Sequence, residues 1–207
     1  MALNRCGGGA HLTGVTGFHG ASAAPAAVAT ALLPVDVVER AGTGDKVAFA
    51  RLVAAYHADL VRVAYVVSGD EQLALDAAQA TWTIAWRKLG TVRDPACVRP
   101  WLTAVAANEA RQVLRSRRRE TLTEIDLEQE GRAGDPTGDD PSDEIERVDL
   151  ANALRHLKAE DRALLAMRFV AGFDAGEIAA ARGMTASGVR GHLSRVIARL
   201  RKELGDD

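Results

Sequence analysis

Between residues 120 and 146 the chain sets eleven acidic residues against one basic residue, with Gly131, Gly134, Pro136, Gly138 and Pro141 among them. Such a stretch has no apolar period, and like charges at that density extend a chain rather than collapse it. It reads as a flexible acidic linker that cannot contribute to a core. Whatever folds in these 207 residues must fold on either side of it. Charge divides the same way: the whole chain carries −2, yet residues 45–119 carry +5 and residues 147–207 carry +3. Two basic modules about an acidic linker point to polyanionic partners that the average conceals.

After the linker, apolar positions Ile145, Val148, Leu150, Leu154 and Leu157 keep helical spacing. Glu160-Asp161 opens a further helix carrying Leu164, Leu165 and Phe169, which Gly172 closes. The most informative stretch follows, from Asp174 to Lys202. Asp174 with Glu177 three residues on is a capping box, which satisfies orphan N–H groups at a helix start. Ile178 and Ala181 face inward, and Gly183 stands where a helix ends in a left-handed residue. Thr185 then caps a second helix whose Val189, Leu193, Val196, Leu200 and Leu204 form one apolar stripe. Its other face carries Ser187, Arg190, His192, Ser194, Arg195, Arg199, Arg201 and Lys202. An amphipathic helix with arginines outside is by itself an ordinary solvated face. Joined to a capped partner by a turn containing Gly, it reads as a helix-turn-helix whose second helix enters a major groove. Ser187, Gly188 and Gly191 leave room for close approach to a duplex. In a helix each Gly costs about 1 kcal/mol against Ala, so these call for a reason.

Residues 1–44 are rich in Gly, Ala, Ser and Thr and read as a disordered extension. The run Ala21–Leu33 only superficially suggests a signal peptide, because Pro25 interrupts it and Arg5 is the sole upstream cation. Order is expected from Asp45, a helix cap. Phe49, Leu52, Val53, Tyr56, Leu60, Val63, Ala64 and Val67 then keep helical spacing until Ser68-Gly69-Asp70 breaks the helix. A second helix, from about Glu71 to Leu89, holds Trp82 and Trp86 as a core pair, and His57 reads as a partly exposed structural histidine. The loop Gly90–Arg99 leads into a third helix with Pro100 in its first turn. Trp101, Leu102, Val105, Ala106, Val113 and Leu114 are its expected buried side. It ends in Arg111, Arg115, Arg117, Arg118 and Arg119, more cations than a helix dipole requires, which again suggests a polyanion.

Cys6 and Cys97 lie far apart without histidines at ligand spacing, so neither a disulfide framework nor a zinc site is expected. A reducing cytoplasm is the simplest home. No apolar run is long enough to span a bilayer, and no phosphate loop, metal-ligand cluster or nucleophile motif supports an enzyme or a cofactor.

The arrangement is all-α: two small helical domains (45–119 and 147–207) joined by a flexible acidic linker (120–146), the second ending in a helix-turn-helix. It resembles the extracytoplasmic-function group of bacterial sigma factors. The residues that carry the resemblance are Asp76-Ala-Ala-Gln79 with Trp82 and Trp86-Arg87, then Trp101-Leu102 through Asn108 to the arginine cluster. Glu177-Ile-Ala-Ala and Val189-Arg190-Gly-His-Leu-Ser-Arg195 complete it. The resemblance implies that the first domain binds core RNA polymerase through Asp76, Gln79 and Trp82. It also implies that this domain melts the promoter −10 region, with Asn108, Arg111, Arg115 and Arg118 facing the DNA. The second domain would read the −35 element through Ser187, Arg190, Gly191, His192, Ser194, Arg195 and Arg199. An anti-sigma partner is common in the group. The sequence departs from the group at Leu73, Leu75 and Ala80, where acidic residues are usual, and at Gly191 and His192. A DNA-binding regulator of the same ancestry that no longer engages polymerase is therefore the alternative function.

Overall fold

The computed structural model describes residues 33–123 and 150–205, and every described element is helical. The first is α1 (Val35–Gly42), followed by α2 (Lys46–Ser68) and α3 (Glu71–Lys88). Short 3₁₀ turns at Leu89–Thr91 and Pro95–Cys97 lead into α4 (Val98–Thr123). After residues that lie outside the description come α5 (150–156), α6 (Ala159–Leu165), α7 (Ala175–Arg182) and α8 (Ala186–Leu204).

Local chemistry sets most boundaries where the sequence places them. The Asp45 carboxylate accepts from the N–H groups of Val47 and Ala48 at the start of α2. Gly69 ends that helix at φ 73°, and Asp70 caps α3 by accepting from Leu73. Two expected boundaries need correction. Residues 35–42, assigned to a disordered extension, form α1, because Val37, Val38 and Ala41 make an apolar face buried against α2. Residues 120–123, assigned to the linker, continue α4. The remaining residues of both segments, 1–32 and 124–146, lie outside the described residues, as do Ile145 and Val148. Cys97 is disulfide-bonded, which departs from the expectation drawn from cysteine spacing.

Helices α2, α3 and α4 pack into a three-helix domain with Leu52, Tyr56, Leu60, Trp82 and Leu102 at its centre. The tryptophan pair separates. Trp82 is buried and its indole N–H donates to His57 Nδ1 at 3.1 Å, the partner that histidine lacked in the sequence. Trp86 is 45% exposed and makes a T-shaped contact with Phe49, 4.9 Å between centroids.

In the second domain α6 runs into a π-helical turn at Ala166–Val170, closed by Ala171 N–H donating to Ala166 O. The wider turn shifts the register of everything after it. Phe169, expected in the core, is therefore 60% exposed, and Phe173 takes its place at 2%. At the helix ends, Leu150 and Leu204 are likewise exposed rather than buried.

The two domains touch along a continuous apolar core. Val63, Ala64, Val67, Ala104, Ala107 and Ala110 of the first join Leu164, Met167, Phe173, Ile178 and Val189 of the second in one buried cluster. At this junction sits Arg162, itself buried, whose Nε donates to Val67 O at 2.8 Å at the end of α2.

Candidate nucleic-acid interface

The helix-turn-helix forms as its local signals require. Asp174 accepts from the N–H groups of Gly176 and Glu177 while Glu177 returns a bond to Asp174 N–H, so the capping box is complete. Gly183 turns the chain at φ 66°. Thr185 Oγ1 accepts from Gly188 N–H at 3.1 Å. A Cβ on Gly188 would stand 2.9 Å from that same oxygen, so the cap itself asks for glycine there. Gly191 has no such crowding, its nearest neighbour being Arg195 Nη1 at 3.9 Å. A side chain would fit there, and the absence of one leaves the backbone open to approach.

Helix α8 buries Val189, Leu193, Val196 and Leu200 against the rest of the domain. Its polar residues fall into two groups. Ser187, Arg190, Ser194 and Arg195 are exposed, and neither arginine has an ion-pair partner among the described residues. His192 and Arg199 instead converge on Asp161, a buried carboxylate at the start of α6. His192 Nε2 lies 2.6 Å from one oxygen and Arg199 Nη2 lies 2.9 Å from the other. The Asp161 side chain is only 4% exposed, and these two contacts take the place of solvent around its oxygens. Two residues expected to face DNA are thus tied to their own domain, Arg199 while remaining 51% exposed.

The arginines of α4 are also divided. Arg111 is half-buried where the domains meet, donating to Asn108 Oδ1 at 2.7 Å and standing 3.4 Å from Glu160. Asn108 and Arg111 therefore face the second domain in this arrangement. Arg117 pairs with Asp70 at 3.0 Å. Arg115 is exposed beside an open concavity of about 360 Å³ that it shares with Gln112 and Arg119. The Arg118 side chain lies outside the described residues.

The loop Gly90–Arg99 packs on α1, an element the sequence reading did not contain. A Cβ on Gly90 would stand 2.7 Å from Gly42 O, so the close approach of these backbones requires glycine. Beside this contact a cleft of about 260 Å³ opens between Val38, Gly42, Leu89, Gly90, Val92 and Arg93. Asp94 stiffens the loop by accepting from Ala96 N–H at 3.0 Å. The cleft lies on the α1 side of the loop.

On α3, Asp76 and Gln79 are exposed on one face, and Gln72 donates to Asp76 at 3.3 Å. Trp82 is corrected as a surface contact: it is buried and bonded to His57, so in this arrangement it shapes the core rather than meeting a partner. Asp161, Arg162 and Arg182 are the residues that sequence reasoning passed over. For Asp161 and Arg162 the only signal was an acid–base pair at a helix start, which reads equally well as ordinary first-turn chemistry, and Arg182 ends α7 with no distinguishing signal. Among the described residues no group of three or more His, Cys, Asp or Glu side chains is placed to hold a metal, and no helix is long and apolar enough to cross a membrane.

Comparison with known proteins agrees with the helical fold. Residues 52–120 match the family model of Sigma-70 region 2 and residues 147–200 that of Sigma-70 region 4. The ECF RNA polymerase sigma factor SigL of Mycobacterium tuberculosis is 32% identical over 151 residues, covering 70% of this chain and 84% of SigL. A probable RNA polymerase sigma factor of Xanthomonas campestris, RfaY, is 29% identical over 79% of this chain, which spans only 42% of RfaY. Among solved structures, the sigma factor RpoE of Bartonella quintana, in complex with the anti-sigma factor NepR, superimposes with a TM-score of 0.63. The identity is 25%, over 77% of this chain and 98% of RpoE. With helices, turn and basic face in this order, the chain belongs to the extracytoplasmic-function group of the sigma-70 RNA polymerase sigma factors.

Proposed function

We propose that this chain directs core RNA polymerase to promoters by dividing the work between its two domains. The observation that carries the reading is the sorting of α8, where Arg190 and Arg195 stand exposed without ion-pair partners while His192 and Arg199 are held by Asp161. A helix fixed from behind and cationic in front is what duplex readout requires. Arg190 and Arg195 then meet guanine edges or phosphates, with Ser187 and Ser194 beside them and Gly191 admitting the backbone.

Strand opening needs a place that holds an unpaired base, because duplex phosphate contacts alone do not favour the open form. The cleft between α1 and the loop Gly90–Arg99 is the built candidate, with Arg93 at its rim and the exposed Arg115 placed to follow the strand. Asp76 and Gln79 form the face for polymerase. NepR in the RpoE complex supports an anti-sigma partner for this chain as well, and the work is placed in the cytoplasm.

The test is reconstitution. Mixed with core polymerase and a panel of promoters, the protein should give open complexes and run-off transcripts; duplex binding without transcripts would favour the regulator of the same ancestry. Replacing Thr91–Asp94 with Gly and Ser should preserve closed-promoter binding and abolish permanganate-detectable opening. A pre-melted template should restore much of the transcription. Opening of duplex promoters by the loop variant at the parental level would place base capture elsewhere.

A further inference from the structure

The cleft between α1 and the loop Gly90–Arg99 has two walls of different origin. Its loop wall lies within residues 52–120, the segment that matches Sigma-70 region 2, whereas α1 precedes that match. What α1 adds to the cleft therefore lies outside the matched region. Residues four apart on α1 give the wall a floor and a rim. Val38 and Gly42 turn inward, while Glu39 and Thr43 stand exposed along the edge. Leu89 and Val92 continue the apolar floor from the loop side. A volume of about 260 Å³ on such a floor has room for one flat ring system, and the polar groups at its rim decide which ring.

Those polar groups are sorted by kind. Thr43 commits its hydroxyl proton to Arg40 O at 2.9 Å, so its oxygen offers the cleft lone pairs alone. The Glu39 carboxylate is likewise an acceptor, and no ion pair occupies it among the described residues. Arg40, the cation of α1, is already bound through Nε and Nη2 to Asp45. On the facing wall Arg93 is exposed, and a guanidinium only donates. One wall thus accepts and the other donates.

The four bases meet such walls differently. Guanine carries two adjacent donors, N1–H and N2–H, which match the two oxygens of a carboxylate. Its adjoining edge, O6 and N7, is the pair of acceptors that an arginine takes bidentately. Cytosine and adenine bring one amino group each. Thymine sets two carbonyls against the carboxylate, flanking its single N–H. A phosphate is repelled by the same carboxylate, so the rim favours a base edge over the strand's backbone.

We propose that α1 makes the cleft a guanine-selective pocket for an unpaired base, with Glu39 reading N1–H and N2–H and Thr43 accepting beside it. The proposal rests on the reading of this cleft as the site of base capture.

The test uses holoenzyme, reconstituted from the full chain and core polymerase, on promoters that the parent protein opens. Templates are pre-opened by mismatches, so that pairing strength plays no part, and each unpaired base is replaced in turn by guanine, inosine or thymine. At one position guanine should bind about tenfold tighter than inosine, which lacks only the N2 amino group, and about a hundredfold tighter than thymine. Glu39→Ala, on an exposed helix face and to the best helix former, should bring guanine and inosine within about twofold of each other. Thr43→Val keeps the shape, removes the acceptor and should narrow the ratio by about threefold. Asp36→Ala removes a charge from the same helix outside the cleft and should leave the ratio at its parental value. A ratio near one at every position in the parent overturns the proposal, as does a ratio that survives Glu39→Ala. Equal losses on all templates in Glu39→Ala mark the residue as structural and overturn it too. Failure of the parent to open any promoter is a separate result, the absence of transcripts on every template, and it sinks the sigma-factor reading and the pocket with it.

Discussion

Helices α4 and α8 are the two arginine-rich helices of the molecule, and they use their cations differently. Helix α8 buries one stripe, Val189, Leu193, Val196 and Leu200, and leaves Arg190 and Arg195 in solvent. Helix α4 lies between the core of its own domain and the second domain. It buries Leu102 and Ala106 in one cluster and Ala104, Ala107 and Ala110 in the other. The exposed basic helix is organised for a partner outside the chain. The enclosed one turns part of its charge, through Arg111, toward the other domain.

The largest expected effect falls where the two domains share a buried cation. Arg162→Met should leave the carbonyls of Val67 and Leu157 without a donor and lower stability by about 3 kcal/mol, read from urea unfolding. An unchanged midpoint would mean that the domains do not depend on this contact. Next is the carboxylate behind α8. Asp161→Ala should lower stability by about 2 kcal/mol, because it strips His192 and Arg199 of their common acceptor. It should also blur promoter selectivity by loosening the tilt of the helix.

Within α8 the contrast sharpens further. Arg195→Ala should cost about 1.5 kcal/mol of promoter affinity and alter sequence preference while leaving thermal unfolding in place. Arg199→Ala should lower the unfolding temperature and weaken all duplexes alike. Identical, sequence-independent losses with the same change in salt slope would remove the base-reading role from Arg195. As a control away from both helices, Asp76→Arg should reduce co-purification with core polymerase about tenfold without changing helical content. Parental recovery would move the polymerase contact off that face.

The smallest effect is a pH dependence at the start of α2. Hydrogen bonds from the Ala48 backbone and the Arg40 side chain hold the Asp45 carboxyl below its ordinary 3.8, outweighing desolvation. A depressed folded-state pKa contributes stability that is complete above the unfolded value and lost as pH falls through the folded one. Acid titration of Asp45→Asn should therefore show a slightly shallower loss of stability below pH 3.8 than the parent.

What was legible in the sequence follows the same contrast. The caps at Asp45, Asp70, Asp174 and Thr185 and the left-handed glycines are local devices, and each stands where the spacing put it. The stripe of α8 was legible because a helix with one buried face shows one period. Helix α4 showed only part of its burial, since alanines on its second face carry little apolar signal. Phe169 was misplaced because a π turn inserts one residue into the count, and nothing in Ala166–Val170 announces it. Asp161 and Arg162 were missed because acid and base at a helix start normally face water. Helix α1 was missed because its three apolar contacts, Val37, Val38 and Ala41, sit beside a long stretch of bland composition.

The carboxylate of Asp161 has a consequence for how this surface can diverge. Because His192 and Arg199 converge on it, the tilt of α8 is set from behind, by residues that need not touch a base. If Arg190, Ser194 and Arg195 read the promoter as proposed, they can be exchanged one at a time, and each exchange should alter which promoters are favoured without repacking the domain. New specificities are thus reachable by single surface steps, whereas a change at 161, 192 or 199 moves every reading position together.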